Sequence, residues 1–345
     1  MSVAPILLIG GAGFVGQQTA KYLQAQNPGI PMIIGGRDLA KAQKVAANFD
    51  NTESVKIDIE AADLGLGKRE ISAVAIFFKD DALAGLRFAQ MRGIPHISIS
   101  SGASEIAPEV AAFMHNPGAS AIVLGAEWLV GAVTIPALEM AKKFASINTI
   151  KIGALLDEED SGGPAAEIDM HRLGETLPAA LTRKNGAFYW RVGENTKSTF
   201  RAIDGTLHEA VALSPYDVMG LATATNAANI AFDLAVGVTS SRRQGKQMST
   251  EIIIEIAGKD KDGSPLQLHQ AVFHPDGQMP LTALGVAMTL ERLLGLDGKT
   301  PTPSGLYFPF QLLGSESYFA RLDAIGGRVL TLDPDARRQA ENPFA

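Results

Sequence analysis

The sequence predicts an α/β protein: a doubly wound parallel sheet, then a second α/β domain with a mixed or antiparallel sheet. Three observations carry this expectation. Short apolar runs alternate with helical stripes through residues 1–125. A glycine cluster separates the first run from the first stripe. From residue 126 onward the apolar runs lengthen and alternate with polar residues, the period of half-buried strands.

Taken in order, Ile6–Ile9 is the first strand, and Val15, Thr19, Tyr22 and Leu23 form a helical stripe behind it. Met32–Ile34 is the second strand, and Asp38 caps a helix over Leu39–Phe49. Val55–Ile59 and Ala73–Phe78 are the third and fourth strands. Asp81 caps the next helix, and Gly93 stops it. Pro95–Ile99 is the fifth strand, Pro108–Met114 a short helix, and Ala121–Leu124 the sixth strand. A helix over Gly131–Phe144 leads out of this domain. Asn148–Leu156, Ile230–Val236, Glu251–Ala257 and Leu266–Phe273 read as strands of the second sheet. A hairpin turn over Lys259–Gly263 joins the last two. Met279–Leu294 is an amphipathic helix.

Composition removes several function classes. The 345 residues exceed what one core usually supports, so two domains are expected. Lys+Arg 30 against Asp+Glu 37 leaves a net charge of −7, unsuited to a phosphate lattice, so no nucleic-acid partner is expected. With no cysteine there is no disulfide, thiolate nucleophile or cysteine-held metal. The six histidines show no compact metal-ligand spacing, so no metal is expected. No apolar run is long enough for a membrane span, and the first residues lack the basic segment of a signal peptide. The expectation is a cytoplasmic protein without membrane contact.

The glycine cluster supplies the first chemistry. Gly11-x-Gly13-x-x-Gly16 follows a strand and opens a helix. In that setting Gly11 permits the tight turn, Gly13 lets the backbone approach an anion, and Gly16 lets the helix pack on the strand. The free N–H groups of Ala12, Phe14 and Val15 and the helix dipole then face a dinucleotide pyrophosphate. NAD sites place an acid about 20 residues past this loop to bind the ribose 2′-hydroxyl. Here that position is Arg37, whose guanidinium suits a 2′-phosphate, with Lys41 one helical turn on. NADP is therefore favoured over NAD. Asp58 and Phe78, at the ends of strands three and four, border the same cofactor. Asp58 reads equally well as an ordinary loop acid.

Gly10–Gly16, the run Gly35-Gly-Arg-Asp38 with Leu39-Ala-Lys-Ala42, and Gly93–Gly102 together resemble the saccharopine dehydrogenase-like reductases. Gly125–Ala141 and Gly285–Leu294 with Gly305–Pro309 are similar to later parts of that family. The resemblance implies a Rossmann domain over 1–125 and a substrate domain over 126–275. It implies that a C-terminal helix and tail over 276–345 pack back on the first domain. It further implies NAD(P)-dependent oxidation or reduction of a C–N bond in an amino-acid-like substrate. Phe78–Asp81 and Ser98 depart from the lysine-pathway members, which argues against saccharopine itself.

Ligands of open α/β sheets bind beyond the carboxyl ends of the strands. That rule selects Lys79 and His96 as candidate general acids. The plain alternatives are a surface lysine and a core histidine. It selects Ser98, Ser100, Ser101, Glu127 and Trp128 as candidate substrate contacts. The acidic run Asp157–Asp160, with Arg201, Tyr216 and His171, follows with less specificity. The favoured function is hydride transfer at a small C–N or carbonyl centre. A C=C or aldehyde reductase and an NADP-binding sensor without turnover are the alternatives. The long alternating strands of the second domain leave an edge, so a homodimer is expected.

Overall fold

Four consecutive residues of β1 (Ile6–Ile9) are buried, which places this strand at the centre of a sheet covered on both faces. The computed structural model describes residues 4–99, 102, 105–160, 168, 171–172 and 179–333. β1 pairs in parallel with β2 (Met32–Gly36) on one side and β4 (Ala73–Ile76) on the other. β3 (Thr52–Lys56) flanks β2, while β5 (His96–Ser98) and β6 (Ala121–Leu124) extend the sheet beyond β4. The short β15 (Gly305–Tyr307) adds in parallel to β6. The order β15-β6-β5-β4-β1-β2-β3 is the doubly wound arrangement, and it reverses between β1 and β4.

The helices that cross between these strands are α1 (Phe14–Gln26), α2 (Leu39–Ala46), α3 (Ala84–Arg92) and α4 (Ala107–His115). Asp38 caps α2 as expected, its carboxylate accepting the Lys41 N–H at 3.0 Å. At α3 the cap is Asp80 rather than Asp81. Asp80 accepts the Gly85 N–H at 2.9 Å, and the helix starts after Leu83 in the left-handed region. β3 lies three residues before its expected position. Ile57 turns under Gly35 to fill the core, and the more polar Thr52–Lys56 makes the edge pairing.

The chain divides into two compact units. The first takes the described residues up to Ala126 together with Thr282–Leu313. Within it the part of the helix Met279–Leu294 from Thr282 on lies along α1, where Asn27 donates to Glu291 at 3.2 Å.

The second unit takes the described residues from Glu127 to Leu281 and from Gly314 onward. Its axis is the long β7 (Phe144–Asp157). The expected helix Gly131–Phe144 shrinks to α5 (Thr134–Ala141), because Gly131, like Leu129 and Val130 before it, has a positive φ, and Phe144 already belongs to β7. The unpredicted β8 (Ala179–Lys184), β9 (Ala187–Val192), β10 (Lys197–Arg201) and β11 (Leu207–Ala212) come next. β12 (Asn229–Gly237) runs parallel to β7, and β13 (Thr250–Asp260) runs antiparallel to it. β13 and β14 (Pro265–His274) form the expected hairpin, and β16 (Arg328–Thr331) pairs with β14. The result is a nine-stranded mixed sheet. Only 282–313 of the C-terminal stretch folds with the first unit. From Gly314 it belongs to the second, because β16 gains a partner strand in β14. No helix among the described residues is long and apolar enough to cross a membrane.

Packing in the first unit leaves no room at Gly16, where a Cβ would lie 2.5 Å from the Gly11 Cα. Backbone cannot yield as a side chain can, and overpacking costs about 1–3 kcal/mol. Gly16→Ala is therefore expected to lower the melting temperature by roughly 2–10 °C. A melting temperature within one degree of wild type in calorimetry contradicts this.

Candidate functional site

The sharp turn after β1 is made by Gly10, at φ +81°, and not by Gly11. A side chain on Gly10 would meet the Phe78 ring at 3.2 Å, so Phe78 packs against the turn. Gly11 donates to the Leu8 carbonyl at 3.1 Å and Gly13 to the Gly10 carbonyl at 2.9 Å, closing two successive turns. A Cβ on Gly11 would sit 2.7 Å from the Leu8 oxygen. Ala12 is buried beneath, Val15 is half-buried, and Phe14 is exposed. α1 then starts with no side-chain cap and no acid in its first turn. Its first N–H groups and the positive end of its dipole are left for an anion.

Arg37 follows directly on β2, exposed and without a hydrogen-bond or ion-pair partner among the described residues. Lys41 is also exposed, in the first turn of α2. Asp58 lies two residues past β3, where its carboxylate accepts the Glu60 N–H at 3.1 Å and shapes the loop. That bond accounts for the acid without a ligand.

Two of the expected contacts prove to be core residues. His96 is 1% exposed, and neither ring nitrogen has a partner. Burial pushes its pKa down to about 3. An imidazole sealed in the sheet and held neutral does not deliver a proton to a cleft, which corrects its assignment as general acid. Ser98, two residues on, is also buried, and its hydroxyl donates to Glu109 of α4 at 2.9 Å. That side chain ties strand to helix instead of meeting a substrate. Lys79 differs from both: it is half-buried just beyond β4, beside the reversal of strand order. Ser100 and Ser101 lie outside the described residues.

Glu127 and Trp128 belong to the second unit. Glu127 is buried and accepts the Thr134 hydroxyl at 3.1 Å. The Trp128 backbone N–H donates to the Asp217 carboxylate at 2.6 Å, and the indole packs on Phe232 with centroids 5.5 Å apart. Asp217 opens the helix Asp217–Thr225, is fully buried, and has its pKa pushed up to about 7 by burial. The bond from Trp128 opposes the shift without cancelling it. Sequence reasoning singled out its neighbour Tyr216 instead. The signal for Asp217 was one acid heading an apolar helical run, Asp217–Ala222. Together these contacts hold the left-handed stretch Leu129–Gly131 between two helices.

The acidic run is absorbed by structure. Asp157 accepts the Thr239 hydroxyl at 2.6 Å and pairs with Arg242 at 3.1 Å. Burial pushes its pKa up, but these bonds outweigh it and hold the carboxyl below its usual range. Glu158 and Glu159 also pair with Arg242, and Asp160 accepts the Gln278 N–H. A groove of about 600 Å³ in the second unit lies between α5, the helix Ser315–Ala324 and β16. None of the expected site residues lines it.

The two buried groups give opposite pH dependences. Asp217 has a raised pKa, so the folded state binds its proton over roughly pH 4–7 while the unfolded state releases it. Stability is lost as pH rises through that window, and Asp217→Asn is expected to remove this loss. His96 has a lowered pKa, so stability is lost as pH falls from about 6.5 towards 3. His96→Leu is expected to remove that loss. Melting temperatures of each variant minus wild type, followed from pH 4 to 8, test both. Differences that stay flat with pH would refute the two assignments.

No protein-family model matches the chain, and no curated protein matches it either. Among solved structures, the chain is similar to apo saccharopine dehydrogenase (L-Glu forming) from Saccharomyces cerevisiae. The TM-score is 0.63 at 14% identity, over 96% of this chain and 100% of that one. A weaker likeness, to a putative myo-inositol dehydrogenase from Sinorhizobium meliloti 1021, has a TM-score of 0.48 at 14% identity. It covers 96% of this chain and 100% of that one, and no argument rests on it. At such identities the first likeness establishes a shared fold: a doubly wound parallel sheet with a second mixed sheet.

Proposed function

We propose that the chain is an NADP-dependent oxidoreductase that moves a hydride to or from a C–N or carbonyl carbon of a small, amino-acid-like substrate. The observation that carries this reading is the uncapped start of α1 over the Gly10–Gly16 turn, at the reversal of strand order. The residues present fit a dinucleotide: a Cβ on Gly11 would meet backbone, and no side chain closes the helix N-terminus. The backbone from Gly11 to Gly16 would hold the pyrophosphate. Arg37, without a partner among the described residues, would pair with the 2′-phosphate, and Lys41 would add a second positive charge. When bound, the nicotinamide supplies or accepts the hydride.

Lys79 is the remaining candidate for the proton. Its position beyond β4 puts an ammonium at the end of the sheet where ligands of this architecture bind. In the direction of reduction it would donate to the nitrogen or oxygen that gains negative charge. The amino-acid-like substrate rests on fold analogy alone: the solved neighbour is named as L-Glu forming.

NADPH is expected to bind more tightly than NADH. A hydrogen bond to a charged group is worth about 1.5–3 kcal/mol, so Arg37→Ala should weaken NADPH binding roughly 10- to 150-fold. NADH binding should hardly change. Fluorescence titration of both cofactors tests this, and equal wild-type affinities would sink the NADP preference.

Lys79→Met is expected to reduce turnover by about 10²–10⁴-fold on whichever imine or carbonyl of a panel is reduced, with NADPH affinity unchanged. Turnover within threefold of wild type would remove Lys79 as the acid. Tight NADPH binding with no turnover across the panel would favour the sensor reading.

A further inference from the structure

The second sheet carries an edge that is apolar and unguarded. β9 pairs with β8 alone, so its outer N–H and C=O groups have no strand partner among the described residues. Its sequence, Ala187-Phe-Tyr-Trp-Arg-Val192, has no proline. Its one charge, Arg191, is turned inward to Asp233 at 2.9 Å. Folded proteins usually blunt sheet edges with charge, proline or short length. The other edges follow that rule. β16 has four residues and an exposed Arg328, and β10 carries Lys197 and Arg201.

The pairing register collects the exposed apolar side chains on one face. Cross-strand partners project to the same side of a sheet. Ile230 pairs with Arg183, and Arg183 with Phe188, so Phe188, Trp190 and Val192 share the face of Ile230. Leu234 and Val236 lie on that face of β12, and Leu234 pairs with Val211. Leu207, four residues before Val211 on β11, follows. Phe188 and Trp190 are each 46% exposed, Val192 53%, Leu207 52%, Val211 53% and Val236 63%.

Aromatic side chains carry about 150–250 Å² each, so Phe188 and Trp190 alone leave roughly 200 Å² outside. The four aliphatic residues bring the exposed apolar area on this face to about 500 Å². A stable dimer needs about 800 Å² from each partner, which this patch and the strand edge together approach.

We propose that β9 and this face form a two-fold interface with a second copy of the same chain. β9 of one protomer lies antiparallel to β9 of its partner. A two-fold suits the edge for two reasons. Antiparallel self-pairing satisfies the outer backbone groups of both copies at once. The row Phe188, Trp190 and Val192 carries no charge of its own, since Arg191 is held on the other face by Asp233 and the Arg183 guanidinium of β8 is engaged over the Phe188 ring.

The test starts with the mass of the full chain in solution, by light scattering at micromolar concentration. Twice the chain mass is expected. Trp190→Glu and Phe188→Glu should weaken association by about 30-fold or more, the effect of losing a hot spot. Arg328→Glu, on the opposite edge, should leave it unchanged. Retained NADPH binding and circular dichroism would show that the glutamate variants still fold.

Because the chain has no cysteine, single cysteines at 187, 188, 189, 190 and 192 give an independent readout without a charge at the interface. Those nearest the two-fold axis should form an intermolecular disulfide under mild oxidation. A monomeric wild type would overturn the proposal. So would a dimer that none of the five cysteines cross-links, or one that both glutamate variants leave intact.

Discussion

The close approach of α1 to the turn after β1 is the constraint on which the first unit depends. Gly16 lies so near Gly11 that no Cβ fits between them, and Gly11 is pressed against the Leu8 carbonyl. The helix therefore starts over the end of β1 with its N–H groups uncovered by side chains. The buried Thr19, Ala20 and Leu23 lie along its inner face. The helix Met279–Leu294, which returns from far along the chain, meets α1 through Asn27 and Glu291. Close packing and an open helix start share one cause here: residues small enough for a helix to sit on a turn also leave its backbone uncovered.

The second unit solves a different problem. Its sheet is assembled around β7, whose antiparallel partner β13 runs nearly its whole length and whose parallel partner β12 covers Thr149–Asp157. Buried carboxylates then fix the connections. Asp157 and Glu251 receive Thr239 and Ser240 at the start of the short helix Ser240–Arg243. Asp217 receives the N–H of Trp128 beside the left-handed stretch Leu129–Gly131. Val130 in that region of φ is strained, and the buried bonds on either side of it oppose its relaxation. Charge in this unit serves chiefly to anchor loops. That is why the acidic run Asp157–Asp160, conspicuous in the sequence, turns out to be occupied.

Positions were legible where they depend on local structure. Gly11, Gly13 and Gly16, the strand before them and the helix after them depend on contacts within a few residues. Asp38 and Arg37 follow from the end of a strand and the start of a helix, again a local event. Lys79 lies three residues beyond its strand, which ends at Ile76 and not at Phe78. His96 and Ser98 were not legible, because both stand on a strand whose two faces are covered. Nothing in the sequence says that α4 would bring Glu109 onto Ser98. Asp217 escaped for the same reason: only the fold delivers Trp128 to it.

The sequence by itself determined the doubly wound sheet, the glycine turn, the β13–β14 hairpin and the helix Met279–Leu294. Each is specified by periodicity or turn chemistry within a short window. Tertiary structure decided the rest. Of the four strands from Ala179 to Ala212, β9 does carry a strand alternation in Phe188, Trp190 and Val192, whereas β8, β10 and β11 mix polar and apolar residues and no comparable period announces them. β15 and β16, of three and four residues, exist only because β6 and β14 offer edges to pair with. Whether a buried acid or imidazole is a reactive group or part of the core likewise depends on solvent exclusion. That exclusion is imposed by residues distant in the chain, and no local pattern encodes it.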